Sequence, residues 1–205
     1  MTMRFIQIIM MTALSALTVQ SFAQTSLSAL RNMFSTSSVV IECDYQTQVR
    51  NVNVTGNSQI FVQGEMYTMS GNGIRVYCDG TTLWTIDDAS GEVVIESCAL
   101  QGKDYVSSPV LLLAELDKFF KVKSTQSLGA GKDQIVLDAV ADCGVKQVDL
   151  ILTSDGKAVS GKFLLNDGNT LTVKVTSMKK TEEKQKSFFS PQQKFGSDWV
   201  VTDLR

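Results

Sequence analysis

The chain contains no histidine. That excludes Ser-His-Asp and Cys-His nucleophilic sites and the common zinc sites, whose chemistry uses imidazole as base or ligand. It also lacks a field of one sign: 19 Lys and Arg stand against 21 Asp and Glu, a formal net charge of -2. Nucleic acid, which selects basic surfaces, is therefore not an expected partner. The four cysteines, Cys43, Cys78, Cys98 and Cys143, never fall in a Cys-x-x-Cys spacing, so thiol-redox and metal sites find little support. From these absences we expect no catalytic residue, no metal ligand and no cofactor.

What is present begins with an export signal. Met1–Ala23 carries a basic residue, Arg4, an apolar stretch from Phe5 to Val19, and then Ser21-Phe22-Ala23, the three-part pattern of a secretory signal cleaved near Ala23. As a membrane anchor the stretch is too short and too interrupted to span comfortably. No cysteine follows the cleavage position, so the mature chain is not expected to be lipidated there. Residues 24–205 then form one domain of ordinary size, soluble in an oxidising compartment.

The stretch Ile74–Glu96 states the architecture. Three short β-rich runs, Ile74–Cys78, Leu83–Ile86 and Val93–Ile95, are separated by Asp79-Gly80 and Asp87–Gly91, and Gly, Asp and Ser are what tight strand connections require. Similar runs precede it at Val39–Gln46, Val49–Val54 and Ser58–Met69, the last broken at Gly64. Others follow at Lys121–Ser127, Gln134–Ala141, Lys146–Thr153, Ala158–Leu165 and Thr170–Thr176.

Two segments read as helix. Thr25–Ser35 places Leu27, Leu30, Met33 and Phe34 at helical spacing behind a Thr/Ser start, and Ser107–Phe120 has a Ser cap, Pro109 in the first turn and good helix formers behind. The second is apolar nearly all round, more than a helix with one face in water needs. The mixed-charge run Lys179–Ser187 reads as a solvated loop or strand extension. The tail, with Phe188, Phe189, Trp199 and Val201, is too apolar to hang free and is expected to bury these residues. The fold class is mainly β, an incomplete antiparallel barrel of about eleven strands with helices on or in it.

An even cysteine count in an exported chain favours disulfides. Folding the meander brings Cys78 and Cys98 to one end of the sheet. They lie on strands flanking a middle one, however, and a gap of about 10 Å exceeds disulfide reach unless the strand ends pinch together.

Three motifs resemble a known family, the periplasmic outer-membrane lipoprotein carriers of Gram-negative bacteria (LolA-like). They are Val76-Tyr77-Cys78-Asp79-Gly80-Thr81-Thr82-Leu83-Trp84, Ser108-Pro109 with the leucines behind, and Phe188-Phe189-Ser190-Pro191 with the closing Val201-Thr202-Asp203-Leu204-Arg205. The resemblance implies an unclosed β-barrel with an apolar concave side under a helical lid. It implies a carrier that shields the acyl chains of lipoproteins across the periplasm, between an inner-membrane release complex and an outer-membrane acceptor, as a monomer and without making or breaking a bond. An Arg-Pro pair that latches the lid in better-known members has no counterpart here, where the chain reads Gln63-Gly64-Glu65-Met66. Arg75, the nearest basic residue, lies on another strand and does not inherit the role.

The expected ligand-binding wall and lid are Ile60, Val62, Met66, Met69, Trp84, Ile86, Leu111, Leu112, Leu116, Phe119 and Phe120. Plain core is the competing role for Trp84, Phe119, Phe120, Leu111 and Leu112, and Met66 and Met69 suit either, since an unbranched thioether adapts to flexible apolar ligands. Asp87-Asp88 read as turn residues. Two other classes stay open: a binder of different amphiphiles on the same half-barrel, and an exported hydrolase using Ser or Asp/Glu.

Overall fold

The structure, a computed structural model, describes residues 25–49, 52–98 and 116–205. The export signal, the Ser107–Glu115 part of the second expected helix, and with it the candidate residues Leu111 and Leu112, lie outside the described residues.

Helix α1 covers residues 25–36. Its apolar stripe Leu27, Leu30, Met33 and Phe34 is buried, as the helical spacing requires. The strands follow as β1 (Ser38–Val49), β2 (Val52–Gln63), β3 (Met66–Gly71), β4 (Ile74–Cys78), β5 (Thr82–Asp87) and β6 (Glu92–Ser97). After a four-residue helix α2 (Leu116–Phe119) come β7 (Phe120–Gly129), β8 (Lys132–Ala139), β9 (Val145–Thr153), β10 (Ala158–Leu165) and β11 (Thr170–Thr181), then a 3-10 turn at Lys186–Phe189 and β12 (Val200–Asp203). The expected break at Gly64 is the β2–β3 turn, where Gly64 has φ +58°, a conformation that costs glycine little.

The described strands form one sheet of twelve, in the order β12-β6-β5-β4-β3-β2-β1-β11-β10-β9-β8-β7. The ends, β12 and β7, are not paired to each other, so the barrel is unclosed. Every neighbour pair is antiparallel except β12 with β6, which is parallel. The unclosed antiparallel class expected from the sequence holds across the rest of the sheet, and this edge pair is its one exception among the described strands. Strand β12 reaches this edge from β11 at the middle of the sheet, by way of residues 182–199, which run across one face.

That crossing defines two faces. On the inner face, one apolar cluster joins α1, Leu116, Phe119 and Phe120 to residues from most strands, among them Val39, Val62, Val76, Leu137, Leu150 and Phe163. The outer face carries a second cluster of Ile86, Val93 and Ile95, covered by Tyr77, Trp84, Phe195 and Trp199. The crossing chain is fixed at three places. Gln63 Oε1 accepts from the Lys184 amide at 2.8 Å and its Nε2 donates to the Lys184 carbonyl at 3.1 Å. Phe61 meets the Phe188 and Phe189 rings edge to face. Arg75 donates to both Asp88 carboxylate oxygens, at 2.7 and 2.6 Å, and to Gln193 Oε1 at 2.9 Å.

The tail therefore docks, but not through every residue expected. Phe189 is fully buried and Trp199 partly so, whereas Phe188 and Val201 are 42% and 47% exposed. In β12 all four residues are exposed. Its place is held by backbone bonds to β6, with Val200 donating to Gly91 and Leu204 to Ile95, which is why apolar content alone misjudged Val201.

Candidate functional site

Strand β1 alternates Val39, Ile41, Cys43 and Tyr45 on the inner face, and β11 alternates Leu171, Val173 and Val175 between Thr172, Lys174 and Thr176. Side chains of period two put such a set on one side of a sheet. Because β1 and β11 are neighbours at the middle of the curved sheet, their inner faces form a continuous apolar floor. Strands β2 and β3 add Ile60 and Met69, and β10 adds Phe163.

Helix α1 closes only part of this floor. It sits against the β9–β10 turn, where a Cβ at Gly156 would collide with the Leu30 amide nitrogen; only a glycine, here with φ +82°, lets helix and turn approach so closely. Ser26 Oγ, at the start of α1, donates to Asp133 Oδ2 at 3.2 Å, and both residues are buried. Arg31 pairs with Asp117 and ties α1 to α2. Held there, α1 turns Leu30 and Phe34 towards the floor and leaves a hollow of about 400 Å³ between them.

No charged side chain lines the hollow among the described residues. The polar groups at its wall are neutral: the hydroxyls of Ser58, Ser160 and Tyr45, and the Cys43 thiol, which burial and the neighbouring Asp44 charge push above its usual pKa. Tyr45 is fixed at the wall because its hydroxyl accepts from Asn72 Nδ2 at 3.0 Å. Among the described residues the lining holds no carboxylate, lysine or histidine to serve as a base beside these hydroxyls and the thiol. Its physical capacity is to take apolar matter out of water.

The candidate residues divide between the faces. Ile60 and Met69 line the hollow. Val62 is on the inner side but 1% exposed, within the packed core, and Leu116, Phe119 and Phe120 are buried in that same core and away from the hollow. Met66 opens β3, its Cγ 3.8 Å from where a Cβ on Gly80 of the β4–β5 turn would stand, and does not reach the wall. Trp84 and Ile86 are on the other face altogether, beneath the crossing tail. Arg75 is on that face too, engaged with Asp88 and Gln193.

Sequence reasoning missed Phe34, Phe163, Leu171, Val173, Val175 and Met178, all of which line the hollow. The signal was there in β11 from Leu171 to Val175, where alternation marks one apolar and one solvated face; Met178 leaves that parity because the pairing with β1 shifts register between Glu42 and Cys43. In β5 no such signal exists. Leu83, Trp84 and Ile86 are apolar on both parities because both faces of that strand are covered, so nothing in the run says which side holds the hollow.

The fold and the hollow define a class: an open half-barrel with an uncharged, apolar interior and a helix set into it. This architecture is the one that the resemblance to the LolA-like carriers implies. Among solved structures the chain shares its fold with an uncharacterized conserved protein from Thermus thermophilus, at a TM-score of 0.54 and 13% identity over 88% of this chain and 98% of that one. It is also similar to a LolA superfamily protein from Nitrosomonas europaea, at a TM-score of 0.46 and 13% identity over 82% of this chain and 97% of that one. No family model matches the sequence, and no curated protein does. Among the described residues no helix is long and apolar enough to cross a membrane, and no group of three or more His, Cys, Asp or Glu is placed to hold a metal ion.

Proposed function

We propose that residues 24–205 are a periplasmic carrier that receives acylated lipoproteins from an inner-membrane release complex, shields their acyl chains in the hollow, and hands them to an outer-membrane acceptor. The observation that carries this reading is an apolar wall that the described residues leave uncovered. Ile60, Met69, Leu171, Val173 and Val175 are only partly buried although they face the interior, and apolar surface open to water is unfavourable by roughly 25 cal/mol per Å². A ligand that covers the wall recovers that cost.

The capacity fits one acyl chain. A cavity of about 150 Å³ accepts benzene, six carbons, so roughly 25 Å³ per carbon gives the 400 Å³ hollow room for roughly sixteen. Burial at ~0.8 kcal/mol per CH₂ makes such a chain worth on the order of 12 kcal/mol before the costs of ordering it. A neutral wall lets the chain slide in and out without breaking ion pairs, which suits transport rather than chemistry.

Native mass spectrometry of the protein purified from periplasm tests this. The carrier reading expects a population of masses carrying acylated polypeptide, lost when Ile60→Asp puts a carboxylate on the wall. Co-purification of a free amphiphile instead assigns the half-barrel to other cargo. A bare mass together with turnover of esters overturns the carrier.

A further inference from the structure

We propose that Cys78 and Cys98 form a disulfide on export and that this bond pins the end of β6 to the inner core. Cys78 closes β4, faces inward and is fully buried; Cys98 is the first residue after β6, half-buried, and packs against the same cluster. Strand β5 runs between them, and two strand spacings put about 10 Å between their ladders.

The structure shows how that gap is closed. Asp79 Oδ1 accepts from Thr81 N, Thr81 Oγ1 and Thr82 N, at 2.9, 2.8 and 2.8 Å, which folds the β4–β5 turn tightly. The Cys98 amide then donates to the Thr81 carbonyl at 2.8 Å, so the chain leaving β6 hooks round the start of β5. The two sulfur atoms finish 2.7 Å apart, and closing to the ~2.05 Å of a disulfide asks for a side-chain shift of under an ångström. The other two cysteines have no such partner: Cys43 Sγ lies 3.7 Å from the Ser58 carbonyl and Cys143 Sγ 3.6 Å from that of Val145, both buried.

The pair is chemically asymmetric. Cys98 is reachable from solvent and Cys78 is not. The contact between the two sulfur atoms holds Cys98 below the usual thiol range and, with burial, Cys78 above it. A thiolate is the attacking species in exchange. The Cys98 thiolate attacks one sulfur of a disulfide oxidant, forming a mixed disulfide and releasing one oxidant thiolate. Cys78 loses its proton and attacks Cys98 Sγ, releasing the second. The two cysteines give up two electrons and two protons, and the oxidant leaves as two thiols.

The test needs no cargo, so its failure is separate from failure of the carrier reading. Purified full-length protein is reduced, exposed to glutathione disulfide, alkylated in denaturant and digested without reductant. The expected result is one cross-linked peptide pair containing Cys78 and Cys98, with Cys43 and Cys143 alkylated. Cys78→Ala should leave glutathione trapped on Cys98, whereas Cys98→Ser should trap none. Closing a loop across a separation of 20 residues should raise the melting temperature of the oxidised protein above that of the reduced one by roughly 6–12 °C. Any other pairing, glutathione on Cys78 in Cys98→Ser, or identical melting of the two states overturns the proposal.

Discussion

Gly161 offers a way to shorten the hollow without touching its charge. It lies on β10 opposite Leu150 of β9 and Val173 of β11, and it lines the hollow, so the missing side chain is part of the space. A Cβ there would stand 3.1 Å from Phe163 Cε2 and 3.4 Å from Leu150 Cδ2, close contacts that a shift of a few tenths of an ångström in two side chains relieves. Valine suits a strand better than glycine by a margin within the ~1 kcal/mol span of β propensity, which offsets part of that crowding. Gly161→Val adds three carbons, about 75 Å³ at the benzene-scaled value, to a hollow of about 400 Å³. An acyl chain that fills the wild-type hollow should then lose burial of about three methylenes, on the order of 2.4 kcal/mol or roughly 50-fold in affinity. A chain about three carbons shorter should bind as before. Displacement of a fluorescent fatty acid by chains of twelve, fourteen and sixteen carbons reads this directly, with thermal melting as the check on folding. A folded Gly161→Val protein with unchanged chain-length preference would refute the placement of the ligand.

The outer face gives further tests. Phe189→Ala removes a fully buried ring from the Phe61 and Phe188 cluster and should cost about 3–5 kcal/mol in chemical denaturation, while leaving probe binding within a few-fold; loss of binding at retained stability would contradict the separation of the two faces. The hydrogen bonds from Arg75 hold the Asp88 carboxyl below its usual pKa. Its contribution to stability is therefore present above the unfolded value near 4 and is lost as pH falls through the lowered folded value. The melting difference between wild type and Asp88→Asn should accordingly be constant from about pH 7 to 5 and close below about pH 4, and a difference that widens in acid would reverse the assigned sign. Arg31 and Asp117 are 28% and 76% exposed, so Arg31→Ala should cost no more than about 1 kcal/mol. A much larger loss would make that pair a true clamp between the helices.

How much of this was legible in the sequence depended on how many faces of each element are covered. Ile74–Cys78 and Ala158–Leu165 were read to the residue, because turn residues bound them on both sides. The apolar stripe of α1 was equally plain. The site was read less well, and for a physical reason: Trp84 and Ile86 have the composition of a cavity wall because a distant stretch, residues 182–199, covers them, and pairing across so long a separation leaves no local trace. The parallel β12 was invisible for the same reason. Phe119 and Phe120, weighed between core and ligand wall, lie in the core; the sequence leaves the two roles open because both make the same demand on a side chain.

The methionines allow the most direct test of the central claim. Met69 and Met178 line the hollow, and Met66, at the start of β3, points its side chain towards Gly80 and away from the wall, so the wall and a silent reference carry the same kind of methyl group. With ¹³C-methyl methionine labelling, titration of a sixteen-carbon acyl chain should shift the Met69 and Met178 methyl resonances in a saturable, one-site manner and leave Met66 in place. Saturable binding that moves Met66 and spares Met69 and Met178, or no shift at any of the three, would contradict the assignment of the hollow as the acyl-binding site.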